Sequence, residues 1–275
     1  MAFSVKTNEG ALQALRNLSN TNTRLGITQN RINTGLKVES AKDNAAVFAI
    51  AQNLRGDRSG LRAVGASLDR GISSIDVALA AGQAVSDLLI DMRELAVAAA
   101  DTGLDAISRS ALNDEFVQLR DQITSIVDNA EFNGTNAVGG ASPVAITAIT
   151  NDDATASFTI PAQDMSLGGA IVTIAVNEDV ITAPATTVAD LDTSLANVNS
   201  ALSRLGAGAK RLELQRVFVD QLDDAIEVGI GNLVDANLAK ESADLQAIQV
   251  QQQLGLQALS IANSAPQAIL SLFNG

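Results

Sequence analysis

The segment "GLRAVGAS", Gly60 to Ser67, has the glycine and hydroxyl spacing of a phosphate-binding loop. That chemistry needs a lysine to reach the phosphates, but Ala66 stands in its place and the surrounding apolar residues recur at helical intervals. Four acids, Asp220, Asp223, Asp224 and Glu227, lie at helical spacing, and Arg55, Arg58 and Arg62 share a face of an earlier helix. Carboxylates so spaced could hold a divalent cation, dock along or between molecules against the arginine stripe, or simply be solvated. Asp152 and Asp153 in "NDDAT" read as a loop turn.

Beyond these residues the chain has little from which to build a reacting centre. It contains no Cys, His, Trp or Tyr, which removes disulfides, Cys/His zinc sites, imidazole acid–base catalysis and haem ligation by His or Cys. The chain therefore reads as a non-enzyme, with no catalytic, cofactor-binding or metal-binding residues expected. Its net charge is −13, and no Lys or Arg occurs between Arg120 and Arg204. An acidic chain without a basic, aromatic-flanked stripe is a poor partner for nucleic acid.

With seven Phe as the only aromatic residues, the core must be made of Leu, Ile, Val and Ala, which favours close-packed helices. Leu12, Leu15, Leu18, Leu25, Ile32 and Leu36 recur at three, four or seven residues, predicting a helix from about Ser4 to Ile32 with a narrow coiled-coil seam. A second helical pattern runs from Phe48 through Leu61, Leu68, Ile75, Leu89 and Leu95 to a stop near Asp101-Thr102-Gly103. A third spans roughly Ser108 to Asn129 and ends at "NAEFNGTN", whose Asn-Gly is a turn signal. Residues 141–185 change character: "SFTI" and "AIVTIAV" alternate as short strands do, among Pro143, Pro161 and Pro184. From Asp190 the helical period returns through Leu233, and a last pattern runs from Leu245 to Phe273. The terminal "LGLQALSIANSAPQAILSLF" has no charge but six polar side chains, too many for a lipid-spanning helix. No other stretch reaches transmembrane hydropathy on this reading, and "MAFSVKTNEGALQ" lacks the marks of a cleaved secretory signal.

The expected fold is therefore mainly α: a long antiparallel helical hairpin or coiled-coil rod, with paired terminal helices and a small β-containing middle. It divides into residues 1–44 with 234–275 (paired ends), 45–140 with 186–233 (rod) and 141–185 (variable, solvent-facing). Two narrow seams bury little apolar surface against the entropy of ordering their backbones, so the ends are expected to gain their order from neighbouring molecules.

The residues also carry a family resemblance. "ALQALRNLSNTNTRLGITQNRINTGLKVESAKDNAAVFAIAQNLRG", "GISSIDVALAAGQAVSDLLIDMRELAVAAADT" and "EFNGTNAV" closely resemble the N-terminal region of bacterial flagellins. "GAGAKRLELQ" and the terminal "QQQLGLQALSIANSAPQAILSLF" resemble their C-terminal region. The resemblance implies a secreted, extracellular subunit that self-assembles into the flagellar filament for swimming motility. It implies partners too: other copies of the chain, the flagellar type III export apparatus and a secretion chaperone, the filament cap and the hook–filament junction proteins, with no membrane insertion. The alternative is a filament-junction or adhesin-like accessory protein sharing the terminal helices. Absence of cysteine suits threading through a narrow export channel.

By position in the resemblance, Leu12, Leu15, Leu18, Leu25, Ile32, Leu254, Leu256, Leu259, Ile269, Leu270 and Phe273 are expected to make inner-tube assembly contacts, with an ordinary intramolecular core as the other reading. Arg55, Arg58, Arg62, Asp220, Asp223, Asp224 and Glu227 are candidates for charge contacts in the rod layer. One departure stands out. Flagellins that the vertebrate innate immune receptor recognises carry Arg two positions ahead of the "RELAV" motif, where this chain has Asp91. A receptor-reporter cell assay is expected to give little or no response to this chain, and full activation would refute that expectation.

Overall fold

The computed structural model describes residues 7–139 and 142–273, with side chains placed through Ser264. Five helices carry the chain: α1 (Glu9–Thr34), α2 (Ala45–Ala99), α3 (Ala106–Asn129), α4 (Pro184–Val234) and α5 (Leu238–Phe273). Between α3 and α4 lie two antiparallel strand pairs, β1 (Glu131–Phe132) with β2 (Thr135–Asn136), and β3 (Ile146–Ile149) with β4 (Ser157–Ile160). The chain folds as two compact units, one from residues 57–225 and the other from both ends, up to residue 56 and from residue 226 onward.

In the 57–225 unit, α2 buries Leu61, Val64, Leu68, Ile75, Ala78, Val85, Leu89, Met92, Ala96 and Ala99, and α4 buries Leu191, Ser194, Val198, Ala201, Leu205 and Leu212. Both rows alternate steps of three and four residues or their sums, the spacing of a coiled-coil seam. The two helices run antiparallel and close. A Cβ on Gly82 would lie 2.8 Å from Leu202 Cδ2 and 3.1 Å from Met165 Cε, and one on Gly71 would lie 3.0 Å from Leu212 Cδ1. From α3, Phe116, Ile123 and Val127 complete the core.

Local chemistry sets the element boundaries. Asn8 starts α1, its Oδ1 accepting from Ala11 N at 3.0 Å, so the helix begins later than its apolar pattern suggests. Gly35 closes α1 in the left-handed conformation at φ 72. Asp105 caps α3 by accepting from Ser108 N at 2.8 Å. Pro184 opens α4, where a missing N–H leaves nothing unsatisfied, and this brings the start six residues ahead of the expected Asp190. Asn133 and Gly134, at φ 50 and 80, form the β1–β2 turn in the mirror-image conformation that suits a two-residue hairpin.

Two expectations need correction. "AIVTIAV" is not a strand. "SFTI" is β4, but its partner is "ITAI", in the register Ile146↔Ile160 to Ile149↔Ser157. The 170–176 backbone is held by α4 side chains: Thr173 N donates to Ser194 Oγ at 2.9 Å, Thr173 Oγ1 donates to Asp190 O at 3.0 Å, and Asn197 Nδ2 donates to Ala170 O at 3.2 Å. With those groups satisfied and Val172 and Ile174 buried, alternation arises without a strand pair. The second correction concerns hydropathy. One window of α2 reaches a mean hydropathy of 1.3, enough by length and composition to cross a membrane. That apolarity includes the heptad row facing α4, and the core helix of a soluble protein passes the same test.

The Ser108 hydroxyl and amide hold the Asp105 carboxyl below its ordinary value. A carboxyl lowered in the folded state favours folding fully above its unfolded pKa, about 3.9, and loses that contribution as pH falls through the folded value. Urea unfolding of wild type and Asp105→Ala is expected to differ at pH 7 and to converge in acid. An unchanged gap at both pH values would show that the charge on this cap contributes nothing.

Candidate assembly surfaces

The terminal helices face one another antiparallel. Asn8 Nδ2 donates to Ala262 O at 2.7 Å, Gln252 Nε2 donates to Asn22 Oδ1 at 2.8 Å, and Arg31 Nη1 reaches Glu241 Oε1 at 3.2 Å. Between these ties α1 turns Ala11, Ala14, Leu18, Thr21, Leu25, Thr28 and Ile32 inward, and α5 answers with Glu241, Leu245, Ile248, Gln252, Gly255, Leu259 and Ala262, all buried or half-buried. Many of these side chains are small or polar, and the helices approach closely in consequence. A Cβ on Gly255 would meet Leu18 Cδ1 at 3.3 Å.

A narrow seam leaves large apolar side chains outside it. Leu12 is 50% exposed, Leu15 52%, Leu254 56% and Leu256 54%. Ile27, Val250 and Ile261 are exposed on the same two helices. The leucines singled out in the sequence therefore fall into two sets. Leu18 is buried, and Leu25, Ile32 and Leu259 are half-buried, within the intramolecular pair. Leu12, Leu15, Leu254 and Leu256 are about half exposed, and Leu12 and Leu15 line an open groove with Leu259 and Asn263 at the edge of the seam. The side chains of Ile269, Leu270 and Phe273 lie outside the described residues.

The same unit closes around the 35–44 loop. Lys37 and Val38 N–H groups both donate to Val234 O, at 2.6 and 3.2 Å, and Ala236 N donates to Gly35 O at 2.8 Å. Val38, Ala51, Ile230 and Val234 form a small core there, with Phe48 and Leu54 packed against it. Asp43 folds the loop back, and Ser40 amide and hydroxyl donors hold its carboxyl below the ordinary range.

The charged candidates also separate. Arg58 Nε pairs with Asp223 Oδ1 at 2.9 Å, joining α2 to α4 with both side chains about one-fifth exposed. Asp220 pairs instead with Arg216, which the sequence reading passed over, and Arg216 Nε reaches Asp69 Oδ1 at 2.8 Å. The two carboxylates raise the guanidinium's affinity for its proton. With Asp220 and Asp223 each facing an arginine, the four acids do not form one cation cage. Arg55 donates to Gln52 Oε1 at 2.8 Å, while Arg62, Asp224 and Glu227 are exposed. The phosphate-loop spacing at 60–67 is unbroken helix, and its hydroxyl serves the fold: Ser67 Oγ accepts from Ile149 N at 3.1 Å.

Comparison with known proteins agrees with this architecture. Residues 5–142 match the model of the bacterial flagellin N-terminal helical region, and residues 188–273 that of the C-terminal helical region. The chain belongs to the bacterial flagellin family. It is 47% identical to Flagellin FljM of Caulobacter vibrioides over 270 residues, covering 98% of each chain, and 36% identical to a flagellin of Brucella melitensis, covering 99% of each. Its fold also resembles that of a putative flagellar hook-associated protein from Vibrio parahaemolyticus, with a TM-score of 0.56 at 16% identity over 70% of this chain and 100% of that one. At that identity the likeness extends to the fold alone. This flagellin is a structural subunit that self-assembles into the flagellar filament.

The two sets of leucines should respond differently wherever the α1–α5 pair is formed, as it is in this structure. Leu18→Ala is expected to destabilise the α1–α5 pair by about 2–5 kcal/mol, the usual cost of truncating a buried leucine. Leu254→Ser should change it by no more than about 0.5 kcal/mol. Hydrogen exchange of α1 and α5 amides measures both, and equal loss of protection in the two variants would mean that Leu254 belongs to the pair.

Proposed function

We propose that this flagellin builds the inner wall of its filament from the α1–α5 pair. Leu12, Leu15, Leu254 and Leu256 contact neighbouring copies, and Leu18, Leu25, Ile32 and Leu259 hold together the pair that presents them. Ile269, Leu270 and Phe273 extend the same contact toward the C-terminal end. The observation that carries this reading is the half-exposed state of four leucines on helices whose own seam is lined largely by small and polar residues. Burying them between copies removes apolar area from water at about 25 cal/mol per Å².

Residues 1–44 with 234–275 form the inner layer, 45–140 with 186–233 the outer rod, and 141–185 the surface turned to solvent. Arg55, Arg62, Asp224 and Glu227 make charge contacts within the rod layer. The role is structural rather than enzymatic. The chain reaches the cell exterior through the flagellar type III export apparatus with the help of a secretion chaperone. There it polymerises beneath the cap, beyond the junction proteins of the hook.

Removing Leu254 to Gly275 is the direct test. The truncated chain is expected to stay folded in its 57–225 unit, by circular dichroism, and to fail to elongate wild-type seeds under electron microscopy. Normal growth of long tubes by that variant would exclude the C-terminal helix from the wall.

A further inference from the structure

Within the 57–225 unit, charge is segregated along the helices. Between Arg70 and Arg109, Arg93 is the sole basic residue, and it is tied to Asp192. The same span holds Asp76, Asp87, Asp91, Glu94, Asp101 and Asp105. On α4 the pattern reverses: no acid occurs between Asp192 and Glu213, and that span contains Arg204, Lys210 and Arg211.

Each segment also exposes an apolar row beside its charges. On α2, Asp87, Asp91 and Glu94 step by four and three residues with Ile90 and Val97 between and after them, and all are exposed. The buried row of the same stretch, Val85, Leu89, Met92 and Ala96, faces the other way. On α4, Arg204, Lys210, Arg211, Leu214 and Phe218 are likewise all exposed, with Arg204 and Arg211 two helical turns apart and Leu214 and Phe218 following at steps of three and four, while Leu205 and Leu212 are buried. The bases there are not locked within the chain. Lys210 reaches Glu213 only at 3.8 Å between well-exposed side chains, and Arg211 lies flat over the Phe158 ring at 3.5 Å from its centroid, its charge still at the surface.

We propose that these two stripes are the two halves of one contact between copies: the acidic–apolar face of α2 on one molecule docks on the basic–apolar face of α4 on the next. The occupant of each face is a second copy of this chain, and the inference rests on the reading of the chain as a filament subunit. Two features select that occupant. The stripes are opposite in sign, each with exposed apolar side chains beside its charges, and they are different surfaces of one molecule. A contact between different patches leaves one of each unfilled at the ends of any chain of copies, so it propagates into an open helical polymer where rotation does not close a ring. Complementary charge would steer encounter and fix register, while the apolar residues supply burial.

Charge reversal provides the test in seeded elongation, with purified full-length chains scored by electron microscopy at low and high salt. Asp87→Lys with Asp91→Lys and Glu94→Lys, as one variant, is expected to slow growth on its own seeds at least about tenfold at low salt. Arg204→Glu with Lys210→Glu should do the same; Arg211 is left in place to preserve its stacking on Phe158. A chain carrying both sets restores growth, because its basic α2 face meets an acidic α4 face on the next copy. Single-face variants that grow at the wild-type rate, or a doubly reversed chain no better than either while its helical circular dichroism is intact, overturn the proposal and leave the filament assignment standing. A wild-type chain unable to extend its own seeds would overturn both.

Discussion

Everything at the ends of this molecule depends on how closely two helices can approach. Ala11, Ala14, Thr21, Gly255 and Ala262 occupy positions where a wider coiled coil would place leucine or isoleucine, so the backbones come together over a thin seam. A thin seam buries little and leaves the large side chains on the outer faces. The polar ties at Asn8, Asn22 and Arg31 add direction, because each is satisfied only in one antiparallel register.

The 57–225 unit obeys a different rule. There the heptad rows of α2 and α4 hold full-sized side chains, α3 adds Phe116 and Ile123, and the strand pairs are drawn against the helices. Family membership fits this division of labour. One part folds on a conventional core of full-sized side chains, and the other on a thin seam that leaves Leu12, Leu15, Leu254 and Leu256 about half exposed.

The helices were legible in the sequence because long heptad patterns and strong stop signals leave few alternatives. The stop near Asp101-Thr102-Gly103 and the Asn133-Gly134 turn mark boundaries where they were expected, and α1 ends at Thr34, two residues beyond the expected Ile32. The candidate surfaces were only half legible. A search for leucines at three and four residues finds both the inner and the outer row of a narrow pair, since adjacent positions such as Leu15 and Ala14, or Leu256 and Gly255, differ by a single step around the helix. The inner row was carried by small and polar residues that hydropathy ignores. Arg216 was missed for a related reason: its partners Asp69 and Asp220 become neighbours through α2–α4 register, not through any spacing along the chain. In residues 170–176 the alternation was real, but satisfaction by Ser194 and Asn197 could not be read from it.

The tip of the β3–β4 hairpin rests directly on α2. A Cβ on Gly60 would lie 2.8 Å from Asp152 Cβ and 3.2 Å from its backbone, and Gln215 on α4 reaches Thr150 O at 3.5 Å. The underside of that turn is therefore occupied, while Asp153 and Ala154 face outward, with Ala154 at φ 55. An insertion between those two residues would meet the helices on one side and solvent on the other. The same close glycine approach that seats the hairpin thus leaves only the outer side of its turn open.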